Sequence, residues 1–374
     1  MPPLARRNLT HDPIRLTVTL TGIVFAVVLI VVELGLFVGF TVTTSSIIDR
    51  SNVDLWVVSK GTPYIEQGAL FSERKLYQAL STPGVASAEK YIVHWAQWKN
   101  PSGAEESVQV VGFDTNKGIG GPWNVVEGSV EDLKTPNSIM LDELYKSKLG
   151  VKHLGEVFEI NGRRARVVGF TRGIRAFTTT PYVFTDFKYA QGYTQIREDQ
   201  TYFLLVRALP HTDLKVLRRD LETRLRDVDV LPTAEFSHMT RIYWMFTTGA
   251  GVAVLIAAVL GLIVGVVVVA QTIYATTMDH IREYGTLKAM GAPNSYVYRV
   301  IITQAGISAL VGYVLAMLVS IFVVRASQSG GAAILMPWQM AVGIFFLTLV
   351  MCVAAALVSI NKVTSIDPAM VFKG

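Results

Sequence analysis

Residue types that perform chemistry are thinly spread in this sequence. It contains no Gly-x-x-x-x-Gly-Lys-[Ser/Thr] loop to cradle phosphates, no His-Glu-x-x-His pair to hold zinc and no Gly-x-Ser-x-Gly elbow to expose a nucleophile. The six histidines are scattered, and the one cysteine, Cys352, sits in an apolar run, so no disulfide can form within the chain. The residues support no enzymatic reading, and no cofactor or metal is expected in the chain itself. What remains is contact chemistry, concentrated in Thr276–Pro293, a polar, charged stretch between two long apolar runs. Ile281, Tyr284 and Leu287/Lys288 recur at helical spacing, and Asp279 stands three residues before Arg282, which supports a short amphipathic helix. Gly291 followed by Ala292-Pro293 reads as a helix stop, after which Asn294 or Ser295 can cap the next helix. Gly285 costs that helix about 0.5–1 kcal/mol relative to alanine. Either another surface approaches closely there, or an exposed helix tolerates it.

The string Arg282-Glu-Tyr-Gly-Thr-Leu-Lys-Ala-Met-Gly-Ala292 resembles the cytoplasmic coupling helix of the MacB/FtsX-type (type VII) ABC permeases, whose Glu-x-Gly-x-Leu-Lys-Ala-x-Gly pattern docks into a groove on a separate ATPase. The resemblance implies that Arg282, Glu283, Tyr284, Gly285, Leu287, Lys288, Ala289 and Gly291 make that contact. It also implies that ATP and magnesium are bound by the partner, in two copies, around a homodimer of this chain.

These residues must be held by membrane elements. Of 374 residues, 51% are hydrophobic and 17% charged, with a mean hydropathy of +0.40, a membrane-type balance. The net charge of +5 could suggest nucleic acid, but the apolar runs dominate and no nucleic-acid motif is present. Apolar runs place four spans at 16–40, 242–271, 297–324 and 338–361, each long enough for a bilayer. Arg6, Arg7 and Arg15 precede the first, an uncleaved anchor. Arg282 and Lys288 lie between spans two and three, Lys362 and Lys373 in the tail, and Arg325 alone in the loop 325–337. The positive-inside rule therefore puts residues 1–15, 272–296 and 362–374 in the cytoplasm. Tyr243, Trp244 and Trp338 are then expected at the outer interface, and Pro337 at the first turn of span four.

Residues 41–241 remain outside as an α+β domain with stalk. Strands are expected at Leu55–Val58, Tyr91–Trp98, Ser107–Phe113, Ser138–Leu141, Val157–Ile160, Arg163–Phe170 and Thr201–Arg207. Asn161-Gly162 is a hairpin signal. Helices are expected at Ser72–Leu80, Asp142–Leu149 and Thr212–Arg226. Phe71-Ser-Glu-Arg-Lys-Leu-Tyr-Gln-Ala-Leu80, Gln97-Trp-Lys-Asn-Pro101 and Val110-Val-Gly-Phe113 resemble the DevC branch of the superfamily. Asn161-Gly-Arg-Arg-Ala-Arg-Val-Val-Gly169 is similar to the MacB-type periplasmic core, and Asp367-Pro-Ala-Met370 to the family's ending. The fold class so identified is an α-helical membrane protein of four transmembrane helices plus an α+β extracytoplasmic domain.

Small residues repeat every fourth position within the spans: Ala257, Gly261 and Gly265 in the second, Ser308, Gly312, Ala316 and Ser320 in the third, and Gly35 and Gly39 in the first. Such faces admit close helix approach, within one subunit or across a dimer. Gln271 and Gln304, near the inner side, are expected to bond between helices. Glu33, an acidic residue in an apolar run, lies near the outer edge of the bilayer, which favours an interfacial residue over a substrate contact. Arg163, Arg164, Arg166, Arg172 and Arg175 read as a solvated strand face, or as a patch for anionic headgroups or an acidic partner. The resemblance implies a permease in a bacterial inner membrane. It would transmit motion of a separate ATPase to its periplasmic domain and drive export of a lipophilic, glycolipid-like substrate with a membrane-fusion protein and an outer-membrane channel. The alternatives are an FtsX-like regulator of a cell-wall hydrolase or an adaptor-free exporter of heme or another lipophile.

Overall fold

The structure, a computed structural model, describes residues 13–328 and 333–364. Arg6, Arg7, Lys373 and the Asp367–Met370 ending lie outside the described residues. In chain order the helices and strands are α1 (Pro13–Thr44), α2 (Ser46–Asp49), β1 (Leu55–Ser59), β2 (Phe71–Ser72), α3 (Lys75–Leu80), β3 (Val85–Lys99), β4 (Glu105–Phe113), β5 (Val125–Glu127), β6 (Ser138–Asp142), α4 (Lys146–Leu149), β7 (Val157–Ile160) and β8 (Arg163–Thr171). There follow β9 (Tyr182–Asp186), α5 (Phe187–Tyr193), β10 (Gln200–Thr201), β11 (Phe203–Ala208), α6 (Leu214–Leu225), β12 (Val228–Pro232), α7 (Thr233–Ile242), α8 (Ala250–Asp279), α9 (Ile281–Ala289), α10 (Asn294–Ser327) and α11 (Trp338–Thr364). They form two compact units, one of residues 13–38, 252–328 and 334–364, the other of 39–251 with Ala333.

In the first unit, four helices are long and apolar enough to cross a membrane: Leu16–Thr44 within α1, α8, α10 and Trp338–Val358 within α11. Their shared core joins Ile23, Val27 and Ile30 to Val269, Ile301, Ala305 and Cys352. Only 22–39% of each span is buried, so each keeps a broad apolar face of the kind that lipid or another chain covers.

The second span departs from expectation at both ends. Its helix runs to Asp279, eight residues past 271. Thr272, Thr276 and Thr277 donate their hydroxyls to the carbonyls of Val268, Thr272 and Ile273, at 2.7, 2.9 and 2.8 Å, so each hydroxyl is satisfied one turn back within the helix. At its N-terminal end α7, a π-helical turn at Tyr243–Thr247 and Gly249 at φ 75° precede α8. Ile242 therefore ends one helix and does not begin the span.

In the second unit a ten-stranded sheet has the order β12-β1-β11-β3-β4-β9-β6-β8-β5, with β7 pairing both β3 and β8. The β4–β9 and β6–β8 pairs are parallel, and the other pairs in this sheet antiparallel. A second sheet pairs β2 with β10. Alternation along β1 divides two cores: Trp56 and Val58 join one, Leu55 and Val57 the other, beneath α6. The hairpin at Asn161-Gly162 forms with both residues at positive φ, 46° and 77°, a type I′ turn. Asn161 secures it by donating to the Tyr193 carbonyl (2.7 Å) and accepting from the Gln97 amide (3.0 Å). Sequence reading missed β2, β5, β9, β12, α2, α5 and α7. In the expected helix at Ser72–Leu80, Ser72 instead belongs to β2, and its hydroxyl accepts from the Arg74 amide.

Candidate functional site

The segment expected to couple the chain to a partner is built as α9. It is ended by Gly291 at φ 90°. The Gly291 amide donates to the Lys288 carbonyl (2.9 Å) and the Ala292 amide to that of Leu287 (3.0 Å). These are the two bonds of a Schellman cap. The next helix starts at Asn294 behind Pro293, with no side-chain cap, so neither Asn294 nor Ser295 serves as the cap.

Burial sorts the expected coupling residues into two sets. Glu283 is exposed, as are its neighbours Thr286 and Met290, while Leu287 and Lys288 are half-buried. Tyr284 is fully buried, and Gly285 is buried too. Tyr284 donates its hydroxyl to Gln304 Oε1 of α10 at 2.8 Å. Outward docking does not fit these two positions: Tyr284 faces its own chain and pins α9 to a membrane helix. The expected inter-helix bond of Gln304 is this one. Glu283 Oε1 lies 3.1 Å from Nδ1 of the buried His280. The side chains of Arg282 and Ala289 are outside the described set.

Three glycines of the ladders meet side chains of the same subunit, whereas Ala257 is exposed. A Cβ at Gly261 would stand 2.7 Å from Glu33 Cγ, one at Gly265 2.8 Å from Ile30 Cδ1, and one at Gly312 2.6 Å from Ile23 Cγ2. Ala316 is fully buried. Half-buried Glu33 thus lies with its aliphatic stem over Gly261. Gln271 is exposed and, among the described residues, has no hydrogen-bond partner, contrary to the bond expected of it.

The arginine cluster of the second unit divides. Arg163, Arg164 and Arg166 are exposed on the β7–β8 hairpin. Arg172 pairs through Nε and Nη2 with Glu143, which holds the Glu143 carboxyl below its ordinary value. Arg175 is buried, and its charge acts on the buried Asp142 carboxylate, which also accepts from Thr171 and the Ile174 amide. No single basic patch results.

One cluster gave no signal in the sequence. Tyr64 stacks on Tyr243 with centroids 3.9 Å apart, and Phe177 meets Trp244 at 4.4 Å. Trp244 donates its indole N–H to Glu66 Oε2 at 3.4 Å. Burial raises the Glu66 carboxyl from 4.5 to about 7. Tyr243 and Trp244, expected at a membrane interface, are thus seated on the second unit's own aromatic residues. Neither periodicity nor motif links residues about 180 positions apart, so only the fold reveals the contact.

Among the described residues no group of three or more His, Cys, Asp or Glu side chains could hold a metal. The model of the MacB-like periplasmic core domain matches residues 16–224, and that of the FtsX-like permease C-terminal region matches 255–368. An ABC transporter permease of Mycobacterium tuberculosis strain H37Rv is 25% identical over 382 residues, covering 99% of each chain. One of Mycobacterium bovis is 24% identical over 364 residues, covering 95% of this chain and 93% of its own. Among solved structures, the periplasmic region of MacB from Actinobacillus actinomycetemcomitans aligns with a TM-score of 0.38 at 10% identity, over 50% of this chain and 92% of its own. The extracellular domain of the ABC-type transporter YknZ aligns with a TM-score of 0.37 at 13% identity, over 48% of this chain and 98% of its own. With more than half of its length matched by the first family model and three of its four apolar helices by the second, the chain belongs to the MacB/FtsX family of ABC transporter permeases.

Proposed function

We propose that this chain is the membrane subunit of an exporter in a bacterial inner membrane, working as a homodimer with two copies of a separate ATPase. ATP-driven motion of the ATPases displaces α9, and the spans pass that displacement to the external domain. The substrate is lipophilic and glycolipid-like, in keeping with the DevC-like sequence features, and is handed to a membrane-fusion protein and an outer-membrane channel.

The observation that carries this reading is the Tyr284–Gln304 bond. A helix lying free between two spans could absorb a push by swinging aside. This one is fastened to α10 by a buried ring and a 2.8 Å hydrogen bond, so its movement is also movement of the span. The bond separates docking from transmission, and two classes of variant test it. Glu283→Arg reverses an exposed charge on α9 and should abolish retention of the ATPase on pull-down, because breaking a desolvated interfacial pair costs on the order of 2–5 kcal/mol. Tyr284→Phe and Gln304→Leu should retain the ATPase and its hydrolysis while export per ATP falls. Export unchanged in both of these, with folding intact, would show that the bond transmits nothing. A cell-wall hydrolase co-purifying in place of an adaptor would replace the exporter with a regulator.

A further inference from the structure

The inner ends of α1 and α8 enclose a cleft of about 410 Å³, lined by Ile14, Val18, Thr19, Gln271, Thr272, Ala275, Thr276 and Asp279. Its hydroxyls are already used: Thr19 and Thr276 bond each other at 2.8 Å, and Thr272 donates to the Val268 carbonyl. Two groups are not. Gln271 and Asp279 are both exposed, and among the described residues neither side chain has a hydrogen bond or ion pair. Gln271, Ala275 and Asp279 recur every fourth residue and so share one helix face. An amide on the outside of an apolar span is expensive in hydrocarbon unless something beyond the chain satisfies it.

We infer that this cleft binds an aminophospholipid of the cytoplasmic leaflet. The order of the polar groups along α8 selects it. Asp279 closes the helix at the membrane surface, and Gln271 lies about 12 Å deeper at 1.5 Å per residue. The headgroup region of one leaflet is on the order of 5–8 Å thick. A lipid standing in the cleft sets its ammonium beside the Asp279 carboxylate and its glycerol ester carbonyls toward the Gln271 amide N–H, the roughly 4–7 Å left between the roughly 12 Å spacing and the headgroup depth being spanned by the two side chains. Ile14, Val18 and Ala275 lie along the start of its acyl chains. The charge is complementary to an amine and repels an anionic headgroup. The order of groups, charge outermost and amide deeper, is that of the lipid itself, whereas a second copy of this chain would bring another Asp279 to the same level.

The inference rests on the membrane sidedness given above, but its test needs neither the ATPase nor a bilayer. Full-length protein in detergent is titrated with dioleoyl-phosphatidylethanolamine and dioleoyl-phosphatidylglycerol and read by native mass spectrometry. Wild type should bind the ethanolamine lipid about fivefold more tightly, the scale of one partly exposed ion pair. Asp279→Asn, nearly isosteric at an exposed position, should remove the preference, and Asp279→Lys should invert it. Gln271→Leu should weaken both lipids. Equal binding of the two lipids by wild type, or a preference that survives Asp279→Asn, overturns the inference. So does a dimer that dissociates in Gln271→Leu while lipid preference is unchanged, since the face would then belong to a second copy. Loss of lipid preference with export intact would leave the coupling mechanism standing.

Discussion

At the scale of single residues, the spans are held by glycines whose missing side chains make room for specific neighbours. Gly261 and Gly312 look alike in sequence, both on fourth-position ladders, yet they differ in what an added methyl would strike. At Gly261 it meets the Cγ and Cβ of Glu33, a flexible unbranched side chain. At Gly312 it meets Ile23 Cγ2 at 2.6 Å and Cβ at 3.0 Å, a β-branched side chain with one strongly preferred rotamer in a helix. Overpacking of this kind costs about 1–3 kcal/mol. Gly312→Ala should therefore lower the thermal unfolding temperature in detergent more than Gly261→Ala. Adding Glu33→Ala should partly rescue Gly261→Ala, since it removes the Cγ at 2.7 Å and leaves only the Cβ at 3.2 Å. Equal effects of the two single substitutions, or no rescue, would contradict the packing described. The sequence showed the ladders but could not say which neighbour each glycine faces, because helical spacing defines a face and not its partner.

At the scale of elements, α9 and the Glu66 seam show how unevenly the sequence could be read. The stop of α9 was legible because Gly291 is needed for a positive φ and Pro293 follows it. Gly291→Ala meets no atom within 4 Å, so its penalty is purely conformational, about 1–2 kcal/mol, and should shorten the lifetime of the ATPase complex without preventing assembly. Which face of α9 points outward was not legible: Tyr284 shares the helical stripe with Leu287, and a stripe cannot distinguish a partner's groove from the chain's own spans. The Glu66 seam was invisible because its members come from distant segments. It makes a pH prediction with a definite sign. A carboxyl raised from 4.5 to about 7 by burial holds its proton in the docked state over that window. Its contribution is thus fully present below pH 4.5 and lost as pH rises through about 7. The external domain should unfold at a lower temperature at pH 8 than at pH 5.5, by the equivalent of on the order of 1–2 kcal/mol after allowance for solvent. Glu66→Gln should flatten that dependence, and a slope unchanged in the variant would place its origin elsewhere.

At the scale of the whole molecule, the spans and the strand-rich domain were legible because each depends on a period or on composition: runs of about 20 apolar residues, or alternation bounded by turns. Strands β9 and β12 were missed for a related reason. Tyr182, Val183 and Phe184 form a short buried run without alternation, preceded by Pro181 and followed by Thr185, and Val228–Pro232 ends in a proline that argues against a strand until the edge position of β12 permits it. Sidedness, by contrast, rests on few charges, and it is the premise of both coupling and lipid binding. Cys352 is fully buried, so a Cys352→Ser background changes little surface. In that background, a cysteine at exposed Arg164 or Arg166 should react with an impermeant maleimide in intact spheroplasts. A cysteine at Met290, which is 71% exposed, should react only after lysis. Both positions are open to solvent within their own units, so a difference in labelling must come from the membrane and not from burial. Reaction of Met290→Cys in intact spheroplasts would put α9 outside the cell, where no ATP is available to move it, and the proposed coupling would fall.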